Sequence, residues 1–78
     1  MVRVRLFAAL REQAGASEVQ ASGSTVDEIV KELSARYGDR FAKITAVGSF
    51  VVNGERVPRE TPVAEGDEVA LLPPVSGG

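Results

Sequence analysis

Leu71-Leu72-Pro73-Pro74-Val75-Ser76-Gly77-Gly78 closes the sequence, and the chemistry it offers is that of a carboxylate at the end of a bare, extended chain. An apolar run stops at two prolines. Proline has no N–H to give a strand ladder, so a sheet strand must end there. Two consecutive prolines also hold the backbone extended and direct the last residues away from the globule. At roughly 3.3 Å per extended residue, Pro73 to Gly78 would reach about 20 Å. Gly77 and Gly78 carry no side chains, so a narrow channel in another protein would admit the backbone as far as its terminal carboxylate. The Gly78 carboxylate is therefore read as the reactive group. The plainer alternative is a frayed, inert terminus. A strand, a Pro-Pro spacer and a Gly-Gly end in succession favour the first reading.

Other routes to chemistry are few. The sequence has no cysteine and no histidine, which excludes disulfides, thiol nucleophiles, soft-ligand zinc sites and Ser/His/Asp catalysis. Asp27 and Glu28 are adjacent carboxylates, but they fall in the first turn of an expected helix, where the helix dipole favours negative charge. Glu65 and Asp67 flank a turn glycine without the spacing of an EF-hand, so no metal site is expected. An ionised carboxylate is a poor electrophile, and no glycine-rich phosphate loop is present to activate it. The chain is expected to be the substrate of a second, activating enzyme.

The elements that would position this tail are short. At 78 residues the chain makes one small domain, residues 1–72, followed by an extended tail, 73–78. Val2, Val4 and Leu6 alternate with Arg3, Arg5 and Phe7, the period of a half-buried strand. Ala8 to Ala14 reads as a short helical turn capped by Gly15. Ser17 to Ala21 reads as a weak edge strand. Thr25 and Glu28 form a capping box, and Val26, Ile29, Val30, Leu33 and Tyr37 make the apolar stripe of the one clear helix, ended by Gly38. Arg40 to Thr45 reads ambiguously as a further helical turn. Phe50-Val51-Val52, Asn53-Gly54 and Glu55-Arg56-Val57 form a hairpin stopped by Pro58. Glu65-Gly66-Asp67 is a turn, and Glu68 to Leu72 the last strand. A single helix on a sheet gives a two-layer α+β domain.

Alternation also sorts the strands into two faces. With Val2, Val4 and Leu6 inward, Val69, Leu71, Phe50 and Val52 follow them. Phe7, Val51, Ala70 and Leu72 then form an apolar patch on the open face beside the root of the tail, which marks a docking surface. A short helix or the loop around Phe41 would be the alternative cover for that patch. Arg3, Arg5 and Arg11 lie close together at the start of the sequence, as solvated side chains on a strand edge or as contacts to an acidic partner. The net charge of −2, with charges spread along the chain, argues against nucleic acid. No apolar run approaches the ~18 residues of a membrane span, and the first residues lack a signal peptide's apolar centre, so a cytoplasmic protein is expected.

These residues carry a resemblance. Leu72-Pro73-Pro74-Val75-Ser76-Gly77-Gly78 is similar to the ending of the MoaD/ThiS family of ubiquitin-like sulfur carriers, above all its molybdopterin branch. Leu6-Phe7-Ala8-Ala9-Leu10-Arg11-Glu12-Gln13-Ala14-Gly15, Val52-Asn53-Gly54 and Glu65-Gly66-Asp67-Glu68-Val69 resemble the same family, so the match runs through the whole chain. The resemblance implies a β-grasp fold, with a mixed sheet of four to five strands on one main helix and the first and last strands parallel at its centre. It implies that Gly78 is adenylated with ATP by a MoeB-type adenylyltransferase and then converted to a thiocarboxylate by a cysteine desulfurase or rhodanese. No bound cofactor is implied. The tail would then enter a MoaE-type large subunit of molybdopterin synthase, which holds the catalytic side chains, and give sulfur to a pterin precursor in molybdenum cofactor biosynthesis. Gly78 would hold the sulfur, Gly77 would give clearance, and Pro73 and Pro74 would set the reach, with Val75 and Ser76 in contact with the partner. Relatives of the molybdopterin type often carry aromatics where this chain has Leu71-Leu72. Thiamin-type carriers usually lack Pro-Pro. Sulfur delivery to cysteine or transfer RNA stays open, as does a ubiquitin-like modifier conjugated to lysines through the same activated carboxylate.

Overall fold

The computed structural model describes residues 1–74. The chain runs β1 (Val2–Leu6), α1 (Ala8–Ala14), β2 (Glu18–Ala21), α2 (Val26–Tyr37), α3 (Asp39–Ala46), β3 (Ser49–Val52), β4 (Glu55–Val57) and β5 (Glu68–Leu72). One mixed sheet forms in the order β2-β1-β5-β3-β4. β1 and β5 are parallel neighbours, with Val4 opposite Val69 and Leu6 opposite Leu71. The remaining pairs are antiparallel. This is the α+β, β-grasp arrangement that the resemblance implied, and the last strand occupies its centre.

The alternation resolves as expected. Val2, Val4, Leu6, Val69 and Leu71 are buried under the helices together with Val26, Ile29, Val30 and Leu33 of α2. Tyr37, Phe50 and Val52 pack at the border of this core. Asn53 and Gly54 turn the β3–β4 hairpin with positive φ (50° and 86°), the backbone that gives Asn-Gly its preference for this turn.

Three local expectations change. The segment after Gly38 is a full two-turn helix, α3, and the layer over the sheet therefore holds three helices. Phe41 supplies the reason: its ring is fully buried in the core, and it packs on Tyr37 with centroids 5.5 Å apart. Thr45, also buried, satisfies its hydroxyl on the Phe41 and Ala42 carbonyls, so the helix carries its polar group inward without an unpaired donor. Second, the reciprocal arm of the capping box is displaced by one residue. Thr25 Oγ1 accepts from the Glu28 N–H, but the Glu28 carboxylate accepts from the N–H and hydroxyl of Ser24. Third, Ala8 takes a left-handed backbone (φ 49°) at the junction of β1 and α1, a conformation costing a side-chain-bearing residue about 1–2 kcal/mol.

The start of α2 is closed by the loop before β5. Val26 N–H donates to the Thr61 carbonyl and Asp27 N–H to the Arg59 carbonyl. The Arg59 guanidinium also pairs with the Asp27 carboxylate, to which Lys31 adds a second contact at 3.0 Å. Asp27 and Glu28 thus serve the helix end. Among the described residues no helix is long and apolar enough to cross a membrane.

Candidate functional site

The site is built outward from β5. Its odd-numbered apolar residues go to the core, so Ala70 and Leu72 go to the other face. The register places Ala70 between Arg5 on β1 and Val51 on β3, and Val51 pairs in turn with Arg56 on β4. Leu72 pairs with Ser49. Phe7 and Leu72 each come one residue after the Leu6–Leu71 pair. The side chains of Val51, Ala70 and Leu72 are half-buried, and Phe7 is exposed at 36%. The four residues expected on an open patch therefore share the helix-free side of the sheet. Neither α3 nor Phe41 covers them, because Phe41 lies in the core on the opposite side.

Arginines rim this patch. The Arg5 guanidinium sits 5.9 Å from the centroid of the Phe7 ring, close enough for a cation–π contact. Arg56 donates to Ser49 Oγ at 2.8 Å, and Arg3 approaches Glu68 at 4.0 Å. Arg11, grouped with Arg3 and Arg5 from the sequence, instead belongs to α1, whose Leu10 joins the core. An apolar centre edged by planar cations suits a partner surface with apolar side chains surrounded by carboxylates. Arg56 was not singled out from the sequence. It becomes part of the rim only through its pairing with Val51.

The root of the tail lies at the edge of this patch. β5 ends at Leu72, Pro73 is half-buried and Pro74 exposed. Val75, Ser76, Gly77 and Gly78 lie outside the described residues. A further contact at the root had no signal in the sequence. Gly48, between α3 and β3, faces the carbonyl of Leu72 so closely that a Cβ there would run into the carbonyl oxygen.

At the opposite end of β5, Asp67 locks the entering turn. Its carboxylate accepts from Asn53 Nδ2 at 3.0 Å and from the Ala64 N–H at 2.8 Å, while Asn53 Oδ1 accepts from the Glu68 N–H. The Asn53 amide first, and then the Ala64 N–H, hold the Asp67 carboxyl below its ordinary value. Its oxygens are engaged in the turn, and the described residues hold no cluster of ligands for a metal ion.

Comparison with known proteins bears on the family and the fold. The profile of the ThiS family matches residues 4–78. The molybdopterin synthase sulfur carrier subunit of Escherichia coli K12 is 39% identical, with both chains covered in full. Among solved structures, the Amycolatopsis orientalis BexX/CysO complex contains a chain with TM-score 0.83 and 30% identity, both chains fully covered. The small archaeal modifier protein 1 of Methanosarcina acetivorans gives TM-score 0.81 and 31% identity, over 99% of this chain and 95% of that one. A chain of the complex of subunits 1 and 2 of the Helicobacter pylori molybdopterin-converting factor gives TM-score 0.63 and 26% identity, over 99% and 97%.

Proposed function

Because this chain belongs to the ThiS family, we propose that it is a sulfur carrier and serves as the small, sulfur-donating subunit of a molybdopterin synthase. One observation carries the reading: the central strand β5 runs directly into Pro73-Pro74 at the border of an uncovered, arginine-rimmed apolar patch. The patch docks the partner, and the strand aims the tail. The Escherichia coli relative, matched over both full lengths, bears the name of a sulfur carrier subunit, and a Helicobacter pylori relative is solved in complex with a second subunit.

The chemistry proceeds in three steps. A MoeB-type enzyme lets a Gly78 carboxylate oxygen attack the α-phosphorus of ATP, giving the acyl adenylate and pyrophosphate. The persulfide carried by a desulfurase or rhodanese then attacks the adenylate carbonyl and displaces AMP, and a thiol reductant cleaves the S–S bond of the resulting acyl disulfide to leave the thiocarboxylate. In the large subunit this sulfur attacks a carbon of the pterin precursor and displaces an oxygen substituent from it. Water then cleaves the acyl–sulfur bond, leaving the thiolate on the pterin and the carboxylate on Gly78. Gly77 gives clearance in the partner's channel, and Val75 and Ser76 contact the partner. The catalytic side chains belong to the partners, and all of this takes place in the cytoplasm.

The test is the intact mass of the protein isolated from its native cells. Replacement of one oxygen by sulfur, localised to Gly78, is expected. Likeness to the archaeal modifier supports a second reading, conjugation of Gly78 to lysines. Lysine-linked conjugates that vanish when Gly78 is deleted, with no thiocarboxylate on the free protein, would overturn the carrier reading in its favour.

A further inference from the structure

Gly48 does not need glycine for its backbone conformation. Among the described residues the glycines with positive φ are Gly15, Gly38, Gly54 and Gly66, and Gly48 is not one of them. The demand for glycine comes from proximity. A Cβ would collide with the Leu72 carbonyl oxygen and would crowd the Leu72 carbonyl carbon and the Ile44 carbonyl oxygen, each at 3.3 Å. All three are backbone atoms, which cannot swing aside as the end of a side chain can. The Gly48 N–H is held by the Thr45 carbonyl at 3.2 Å, and the next residue, Ser49, is paired with Leu72. Gly48 and Leu72 are thus tied to each other through Ser49, and a Cβ at Gly48 must displace the Leu72 carbonyl, the Gly48 backbone that faces it, or both.

That carbonyl belongs to the Leu72–Pro73 peptide. Proline fixes its own φ near −65°, so the orientation of this peptide plane sets the direction in which the chain leaves the sheet. Pro73 offers no N–H through which β3 could hold the root any further out. We propose that Gly48 is the positioning residue for the sulfur-bearing tail: by leaving room for the Leu72 carbonyl, it sets the angle at which the tail leaves the sheet and meets the partner's active site. The inference rests on the carrier reading above. A misplacement of about 1 Å in a reacting group can cost ~100-fold in rate.

The test uses full-length thiocarboxylated protein, made by thiolysis of an intein fusion so that the activating enzyme is bypassed, together with the large subunit and its pterin precursor. Gly48→Ala is expected to lower the single-turnover rate of sulfur transfer at saturating partner by tenfold or more, with affinity for the large subunit changed by less than about threefold. The same substitution is then made beside Pro73→Gly and Pro74→Gly, which uncouple the tail from its root. There Gly48→Ala should have little further effect on the rate. An equal loss in both backgrounds, or a loss confined to affinity, would overturn the proposal in favour of a structural role. Since the chain has no cysteine, spin labels at Ser22→Cys and Ser76→Cys give a readout that does not depend on activity. Gly48→Ala is expected to shift or broaden their distance distribution, and an unchanged distribution overturns the proposal. Wild-type protein that transfers no sulfur would count against the carrier reading alone, and the label distances would still decide the role of Gly48.

Discussion

The two faces of this one sheet are made by the same strands and do opposite work. Toward the helices, Val2, Val4, Leu6, Val69 and Leu71 are all but removed from water. Toward the open side, Arg3, Arg5, Val51, Ala70 and Leu72 are half-buried or exposed, and Phe7 stands at the edge with its ring under a guanidinium. Burial is concentrated on the first face, and the docking proposed above would use the second, with a shift of one residue along β5 separating them. A domain this small has little interior to spare, and every helix it forms is spent on one face of the sheet.

The sharpest break in that division lies beyond both faces. Deleting Gly77 and Gly78 is expected to abolish sulfur loading while leaving the melting temperature unchanged, as seen by intact mass and thermal denaturation. A lowered melting temperature would mean that the tail belongs to the fold. Next in size is a contrast between neighbours. Leu71→Ala empties a fully buried site and should cost about 2–5 kcal/mol, a large part of the ~4–12 kcal/mol expected for a chain of this length. Leu72→Glu should leave chemical denaturation nearly unchanged while weakening partner binding by tenfold or more in calorimetry. If Leu72→Glu unfolds the protein, or if it binds as well as the parent, the two faces are not separated as described.

The smallest effect concerns acid. Arg59, followed by Lys31, holds the Asp27 carboxyl below its ordinary value. The backbone N–H of Ser24, followed by its hydroxyl, does the same for Glu28, and Asn53 does so for Asp67. In the window between their folded and ordinary values, the unfolded chain binds more protons than the folded one. Stability is therefore full above the ordinary carboxylate range near pH 4 and falls as pH drops through the lower folded values. All three groups are solvent-facing, so the loss should be gradual and should diminish in high salt. Replacing Asp27 with Asn should flatten part of the acid limb of the melting curve, and an unchanged limb would remove Asp27 from this account.

Much was legible from local pattern. Period-two alternation assigned Val69 and Leu71 to one face and Ala70 and Leu72 to the other, and Asn53-Gly54 marked the hairpin, because each signal reflects geometry within a few residues. Thr25 announced the start of α2, but the partner of Glu28 depended on where Ser24 lies. The extent of α3 was hidden because Arg40 to Thr45 is a short run of mixed apolar and charged residues in which no period stands out. Phe41 and Thr45 are inward-facing only because α1, α2 and the sheet leave a gap that they fill.

The chain's own order of residues determined its strands, its main helix, the Pro-Pro stop and the glycine end, since propensity, capping and turn chemistry are short-range and depend on side-chain type. The tertiary structure decided which strands are neighbours, and with that the joining of Arg5, Ala70, Val51 and Arg56 into one row and the meeting of Gly48 with the Leu72 carbonyl. These contacts join residues far apart in the sequence, and they are brought together by burial of one shared core, which no local segment can specify alone.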